Sequence, residues 1–227
     1  MILYNLVDKF LMNDFNKEIK ENLKTKQPII FDIGCFNGNF SKKLKKYLDI
    51  SKKKFYLFDA NKDLKVKDFS YFNETFSNKV EIKKFYLNEY FPASGSSLKQ
   101  DTKKDFKWNF TRKLITFSLN KNFKTLKVKT NTLDNFCKKK KIKKIDILKI
   151  DVEGSEFEVL EGSKNILKNT NIIQLEIYQN KKNFYKIRKK IILFLKKYNF
   201  EIVKEKSILS VSIFSNLKGM DVLFVKK

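Results

Sequence analysis

Two segments of this 227-residue chain run from an apolar strand through a glycine turn into a helix, and both carry acids beside the turn. One is Ile29-Ile-Phe-Asp-Ile-Gly-Cys-Phe-Asn-Gly38. The other is Leu148-Lys-Ile-Asp-Val-Glu-Gly-Ser-Glu-Phe-Glu-Val-Leu-Glu-Gly162, whose strand ends in Asp151 and Glu153 before Gly154. Acids at the carboxyl end of a strand in an open α/β sheet lie where such sheets bind ligands. The pair points to a nucleotide-like cofactor with a reaction beside it.

The apolar pattern around these segments alternates strand and helix. Residues 3–24 carry apolar side chains at helical spacing and predict an amphipathic helix capping the domain, stopped by Pro28. Strands are predicted over 29–33, 55–58, 80–85, 126–130, 145–150 and 172–177. Helices are predicted over 40–48, 134–141 (with Thr132 as N-cap), 157–167 and 184–198, with a poorly patterned one over 62–77. The tail reads as two strands, 201–204 and 222–225, with Gly219 as a turn before the last. This order gives an α/β fold, a mostly parallel sheet with helices on both faces and an antiparallel C-terminal hairpin. Residues 1–227 read as one domain, with 1–27 as a helical cap. Residues 86–123 read as an irregular insertion that shapes the acceptor pocket, in which Ser96 and Ser97 are candidates to touch cofactor or acceptor.

Net charge is +25, with 50 Lys+Arg against 25 Asp+Glu. Nucleic acid is the obvious partner for such a balance, but the composition argues against it. Arg112 and Arg188 are the only arginines, the lysines are scattered along the chain, and His is absent. Gripping phosphate and base edges favours the planar fork of arginine. Cys35 and Cys137 form no C-x-x-C pair, which excludes a zinc knuckle and fits a reducing cytoplasm. No apolar run approaches a membrane span, and the first residues lack the pattern of a signal peptide.

Gly34-x-x-x-Gly38 is not the G-x-G-x-x-G of dinucleotide enzymes, because Cys35, Phe36 and Asn37 stand where a diphosphate needs close backbone approach. Asp59 closes the second strand about 20 residues later, the spacing of an acid that grips a ribose diol. Asp32, Gly34, Gly38 and Asp59, in strand–turn–helix–strand order, predict a nucleoside-containing cofactor.

The chain resembles the FkbM-type S-adenosylmethionine-dependent methyltransferases. The matching pieces are Phe31-Asp-Ile-Gly-Cys-Phe-Asn-Gly-Asn-Phe-Ser41, Tyr56-Leu-Phe-Asp-Ala-Asn61, Thr132-Leu-Asp-Asn135, Ile145 to Gly162, and Leu175-Glu176. They span residues 29 to about 178, and the Lys-Ile-Asp-Val-Glu-Gly run is the most specific of them. The resemblance implies a Rossmann-like, seven-stranded class I methyltransferase. Its expected activity is O-methylation of a sugar hydroxyl in a glycan or related metabolite, as in polysaccharide biosynthesis. It places cofactor binding on Asp32, Gly34, Asn37, Gly38, Asn39, Ser41, Asp59, Ala60, Asn61 and Asp151. Asp59-Ala60 departs from the Glu-Pro usual in the family, keeping the charge on a shorter arm.

A hydroxyl acceptor needs a general base. Without His, that base is a carboxylate, a lysine, a tyrosine or solvent. Asp151 and Glu153 end one strand and Glu176 ends the next, so adjacent parallel strands would gather them around one crevice. Asp151 and Glu176 could instead hold Mg²⁺. Glu153 has helix-dipole stabilisation as its competing explanation, and Lys149 a structural ion pair. Asp134 and Asp146 read as turn or cap residues. Three alternatives stay open: an RNA or nucleotide-cap methyltransferase using the basic surface, a non-catalytic cofactor-binding scaffold, and a dinucleotide oxidoreductase.

Overall fold

The computed structural model describes residues 15–50, 54–88, 96–98, 123–208 and 216–227. After helix α1 (Asn16–Asn22), strand β1 (Ile30–Ile33) is buried at all four residues and leads through the glycine turn to α2 (Asn39–Leu48). Strands β2 (Phe55–Phe58), β3 (Ser70–Phe72), β4 (Thr75–Phe76), β5 (Ile82–Asn88) and β6 (Phe123–Asn131) follow. Then come α3 (Leu133–Lys139), β7 (Ile145–Ile150), α4 (Glu156–Glu161), a 3-10 turn (Ile166–Asn169), β8 (Thr170–Asn180), α5 (Lys181–Lys196), β9 (Phe200–Ile208) and β10 (Leu217–Lys226).

Seven strands form the main sheet in the order β3-β2-β1-β7-β8-β10-β9. The first five are parallel, and β10 runs antiparallel to both β8 and β9. The architecture is the predicted one. Strand β7 is buried at all six positions, as a parallel strand covered on both faces must be. Alternate residues feed two cores. Phe31, Leu148, Ile150, Ile173 and Leu175 pack with Phe136, Phe157, Phe184 and Leu195 on one face. Ile30, Leu57, Ile147, Ile172 and Leu223 pack with Phe15, Ile19 and Leu44 on the other. The cluster around Phe58 is aromatic, with Phe72 stacked on it at 5.4 Å and Phe136 edge-on at 4.9 Å.

Some elements depart from the expected pattern. The helix predicted over 62–77 does not form. Asp68 turns the chain at φ +73, and Ser70–Phe72 pairs in parallel with Tyr56–Phe58 as an edge strand. Tyr71 and Phe72 suit a pleated edge better than a helix. Strand β4 then joins a separate three-stranded sheet, β4-β6-β5, so the strand foreseen at 126–130 is central in a small sheet. The expected helix over 157–167 breaks at Gly162, where a Cβ would lie 2.1 Å from the Ser77 carbonyl oxygen. Gly219 sits inside β10, opposite Ile208 and Tyr178, and not in a turn. Residues 86–88, read as the start of an irregular insertion, belong to β5. Most of the remaining insertion, residues 1–14 of the predicted cap, and residues 209–215 lie outside the described residues.

Candidate active site

Strand β1 has β2 on one side and β7 on the other, and the chain leaves their carboxyl ends in opposite directions. That is the switch point at which open α/β sheets hold ligands. A cleft of about 190 Å³ opens there.

The first wall is the turn after β1. The N–H groups of Gly34 and Cys35 both donate to the Phe58 carbonyl, at 2.9 and 3.0 Å. Gly34 has φ +77, and a Cβ on it would stand 1.7 Å from the Asp151 carbonyl oxygen, so only glycine fits between β1 and the end of β7. Asp59 holds this turn from the end of β2. Its Oδ2 accepts from the Phe36 N–H at 3.0 Å and its Oδ1 from the Asn61 N–H at 2.8 Å. Burial pushes the Asp59 carboxyl up, against the pull of these two amides.

The floor is an ion network. Lys149 Nζ lies 2.8 Å from Asp151 Oδ2 and 3.7 Å from Asp32 Oδ1, above the ring of Phe40. Asp32 is fully buried and accepts from Ser41 Oγ at 2.7 Å. Burial works against the Lys149 ammonium, but Asp151 and Asp32 outweigh it and push the group up. Lys149 is thus held as a cation between two carboxylates.

The second wall is acidic. Asp151, Glu153 and Glu176 each place a carboxylate oxygen within 4.8 Å of the other two. Glu176 does not end its strand, since β8 runs on to Asn180, but it lies one residue past Leu175, which is level with Ile150. Burial, then the charges of Asp151, Asp221 and Glu153, drive the Glu176 carboxyl well above the usual carboxylate range. Glu153 adopts left-handed backbone, φ +53, and Gly154 follows at φ +102. Ser97 Oγ donates to the Glu153 carbonyl at 2.7 Å, and Gln179 Nε2 to the Gly154 carbonyl at 3.2 Å. The Gly154 N–H donates to Glu156 Oε1 at 2.7 Å, which ties the turn to the first residue of α4.

Of the predicted site residues, Gly34, Asn37, Asn39, Asp59, Ala60, Asn61, Lys149, Asp151, Glu153 and Glu176 line the cleft, as does Ser96. Asp32, Gly38 and Ser41 stand behind the lining. A Cβ on Gly38 would meet Val66 Cγ1 at 2.9 Å, so that glycine serves packing. Ser97 is buried and paired backbone to backbone with Tyr86. Asp134 caps the start of the 3-10 turn by accepting from the N–H groups of Asn165 and Ile166, while Asp146, read as a turn or cap residue, lies inside β7 and accepts from the Ile29 N–H. Glu74, Thr75, Phe76, Phe85 and Leu98 also line the cleft and were not foreseen. Reading 62–77 as a helix hid the first three. The Thr75-Phe76 pair before Ser77 was the β-prone signal that could have found them.

A Rossmann-like sheet with an antiparallel tail and a cleft at its switch point defines the class. Residues 32–202 match the family model of the Methyltransferase FkbM domain. The chain belongs to this family of S-adenosylmethionine-dependent methyltransferases. Its fold is similar to that of the FkbM methyltransferase from Methylobacillus flagellatus KT, at 7% identity and a TM-score of 0.47, over 87% of this chain and 44% of that one. It is also similar to M. capricolum TrmK in complex with S-adenosylhomocysteine (15% identity, TM-score 0.45, 96% and 70% covered). Streptococcus pneumoniae Sp1610 in complex with S-adenosyl-L-methionine is a further likeness (13% identity, TM-score 0.41, 92% and 72% covered). This chain thus spans less than half the length of the FkbM structure. No curated protein matches it. Among the described residues, no helix is long and apolar enough to cross a membrane.

Proposed function

We propose that this chain methylates a hydroxyl group of a sugar, in a glycan or related metabolite, with S-adenosylmethionine as donor. The observation that carries the reading is the charge of the cleft. Asp59, Glu74, Asp151, Glu153 and Glu176 line it against Lys149, and Lys149 is already held by two carboxylates. Such a lining offers acceptors to the hydroxyls of a neutral polyol and little to a phosphate.

The lining fits the cofactor. Each Asp59 oxygen accepts one amide and keeps a lone pair for a ribose hydroxyl. Ala60 and Asn61 flank it, while Gly34, Asn37, Asn39 and Asp151 would face the amino-acid end. Asp32, Gly38 and Ser41 would act from behind by fixing the turn. When bound, S-adenosylmethionine supplies an activated methyl group. The protein's part is to align the acceptor and receive its proton. Asp151 and Glu153 face that task, and Lys149 positions Asp151. A cytoplasmic setting agrees with two buried, free cysteines.

Two specific observations support second readings. The three-carboxylate cluster has the spacing and hard oxygen ligands of a Mg²⁺ site. The net charge of +25 supports an RNA acceptor. Methyl-labelled donor, offered with bacterial glycan fractions in one arm and total RNA in the other, separates the acceptors. Label in the glycan fraction, lost by about 10²-fold or more in Asp151→Asn while donor binding persists, is the expected result. Label in RNA alone would overturn the sugar reading.

A further inference from the structure

A second hollow, of about 430 Å³, opens beside the cofactor cleft. Glu74 lines both spaces, so they meet at its side chain. Three pieces of the chain build the hollow. Asn73 and Glu74 are the two residues between β3 and β4, Lys129 and Asn131 lie at the end of β6, and Asn135 is in the first turn of α3. Parallel pairing of Thr75 with Thr130 and of Phe76 with Asn131 holds the first two pieces together. Asn131 Oδ1 fixes the third, accepting from the Thr132 N–H at 2.9 Å and from Asn135 Nδ2 at 3.3 Å. Asn73 Nδ2 donates to the Asp59 carbonyl at 2.9 Å and ties the hollow to the end of β2.

These bonds use one end of each amide. Among the described residues, Asn73 Oδ1, Asn131 Nδ2 and Asn135 Oδ1 make no hydrogen bond. The Glu74 carboxylate has no ion pair, although Lys129 and Lys139 line the same hollow. Amides, a carboxylate and ammonium groups together offer the mixed acceptors and donors that the hydroxyls of a sugar ring need. A bare anion would use the lysines and face the carboxylate and the amide oxygens with like charge. Val80, 50% exposed, adds an apolar surface for the C–H face of a ring. We propose that this hollow is an acceptor subsite. It takes the sugar unit next to the one being methylated, so the acceptor is an oligosaccharide of two or more units and not a single sugar. The inference rests on the sugar reading above. A hydrogen bond to a hydroxyl replaces one to water and contributes little by itself. Contacts to a neighbouring unit therefore help to align the reacting hydroxyl, and a shortened acceptor loses turnover as well as affinity.

The test starts from the bacterial glycan fraction that accepts label, partially hydrolysed with acid and sorted into mono-, di- and trisaccharide pools. Transfer rates with methyl-labelled S-adenosylmethionine are compared at equal, low chain concentration. The full-length protein is expected to use the disaccharide pool about tenfold or more faster than the monosaccharide pool, the worth of one or two hydrogen bonds. Asn135→Ala and Glu74→Gln are each expected to remove most of that gain. Both should match the parent's circular dichroism, and Asn135→Ala should bind S-adenosylhomocysteine with the parent's affinity. No difference between the mono- and disaccharide pools, or a gain untouched in both variants, overturns the inference and leaves the sugar reading standing. Absence of label from every pool and from the intact glycan overturns both. Label passed to RNA by the parent and lost in both variants would assign the hollow to a nucleotide chain and overturn the inference as well.

Discussion

Gly34 and Glu153 sit on opposite walls of one cleft, and both have positive φ. Their side chains obey different constraints. Gly34 lacks a Cβ because the Asp151 carbonyl occupies its place. Gly34→Ala therefore forces β1 and β7 apart and adds left-handed strain. We expect a loss of about 3 kcal/mol or more in a urea melt, with cofactor binding abolished. Glu153 has no such steric reason for its identity. Glycine there relieves left-handed backbone at the cost of a more flexible unfolded chain, two effects of about 1 kcal/mol each. Glu153→Gly is expected to melt within about 1 kcal/mol of the parent while methyl transfer falls. A large destabilisation would make Glu153 a structural residue.

At the scale of elements, legibility in the sequence followed burial. Strands β1 and β7 are apolar runs covered on both faces, and their bounds were readable almost to the residue. The turn acids at their ends were readable for the same reason, since a carboxylate closing an apolar run has few structural excuses. Residues 62–77 were not legible. They form two short strands whose stability comes from partners far away, Tyr56–Phe58 and Thr130–Asn131, and no local period records such pairing. Gly162 was read as mid-helix and Gly219 as a turn, but they serve close approach to Ser77 and Ile208. Glu74, Thr75 and Phe76 were missed because 62–77 was read as a helix, and Phe85, on a strand that was foreseen, was not read as lining the cleft. Helix α1 shows another long-range tie, the ion pair of Glu18 with Lys204 on β9. The hydrogen bond from Lys204 holds the Glu18 carboxyl below the usual carboxylate range. A carboxyl depressed by folding stabilises above its unfolded pKa, and that contribution disappears as pH falls through its folded pKa. Both side chains are partly exposed, so the pair contributes about 0.5–1 kcal/mol. Thermal melts of Glu18→Gln should therefore show a small deficit near pH 7 that vanishes near pH 2. A deficit that persists in acid would mean that Glu18 acts through packing.

Across the whole molecule, charge is divided by location. The chain carries +25, yet among the described residues the cleft is lined by five carboxylates and one lysine. Lysines such as Lys84, Lys127 and Lys129 lie exposed on the small sheet, where water solvates them. The cleft acids face one another in a confined space, where their interactions are screened less. Net charge is thus a poor guide to what this cleft accepts, and the sheet's switch point is a better one. Hydrogen exchange with and without S-adenosylhomocysteine at saturating concentration tests the location of the cofactor most directly. The account predicts slowed exchange at residues 34–39, 59–61 and 151–154, with β9 and β10 unchanged. Protection confined to other elements, or none with the ligand demonstrably bound, would contradict it.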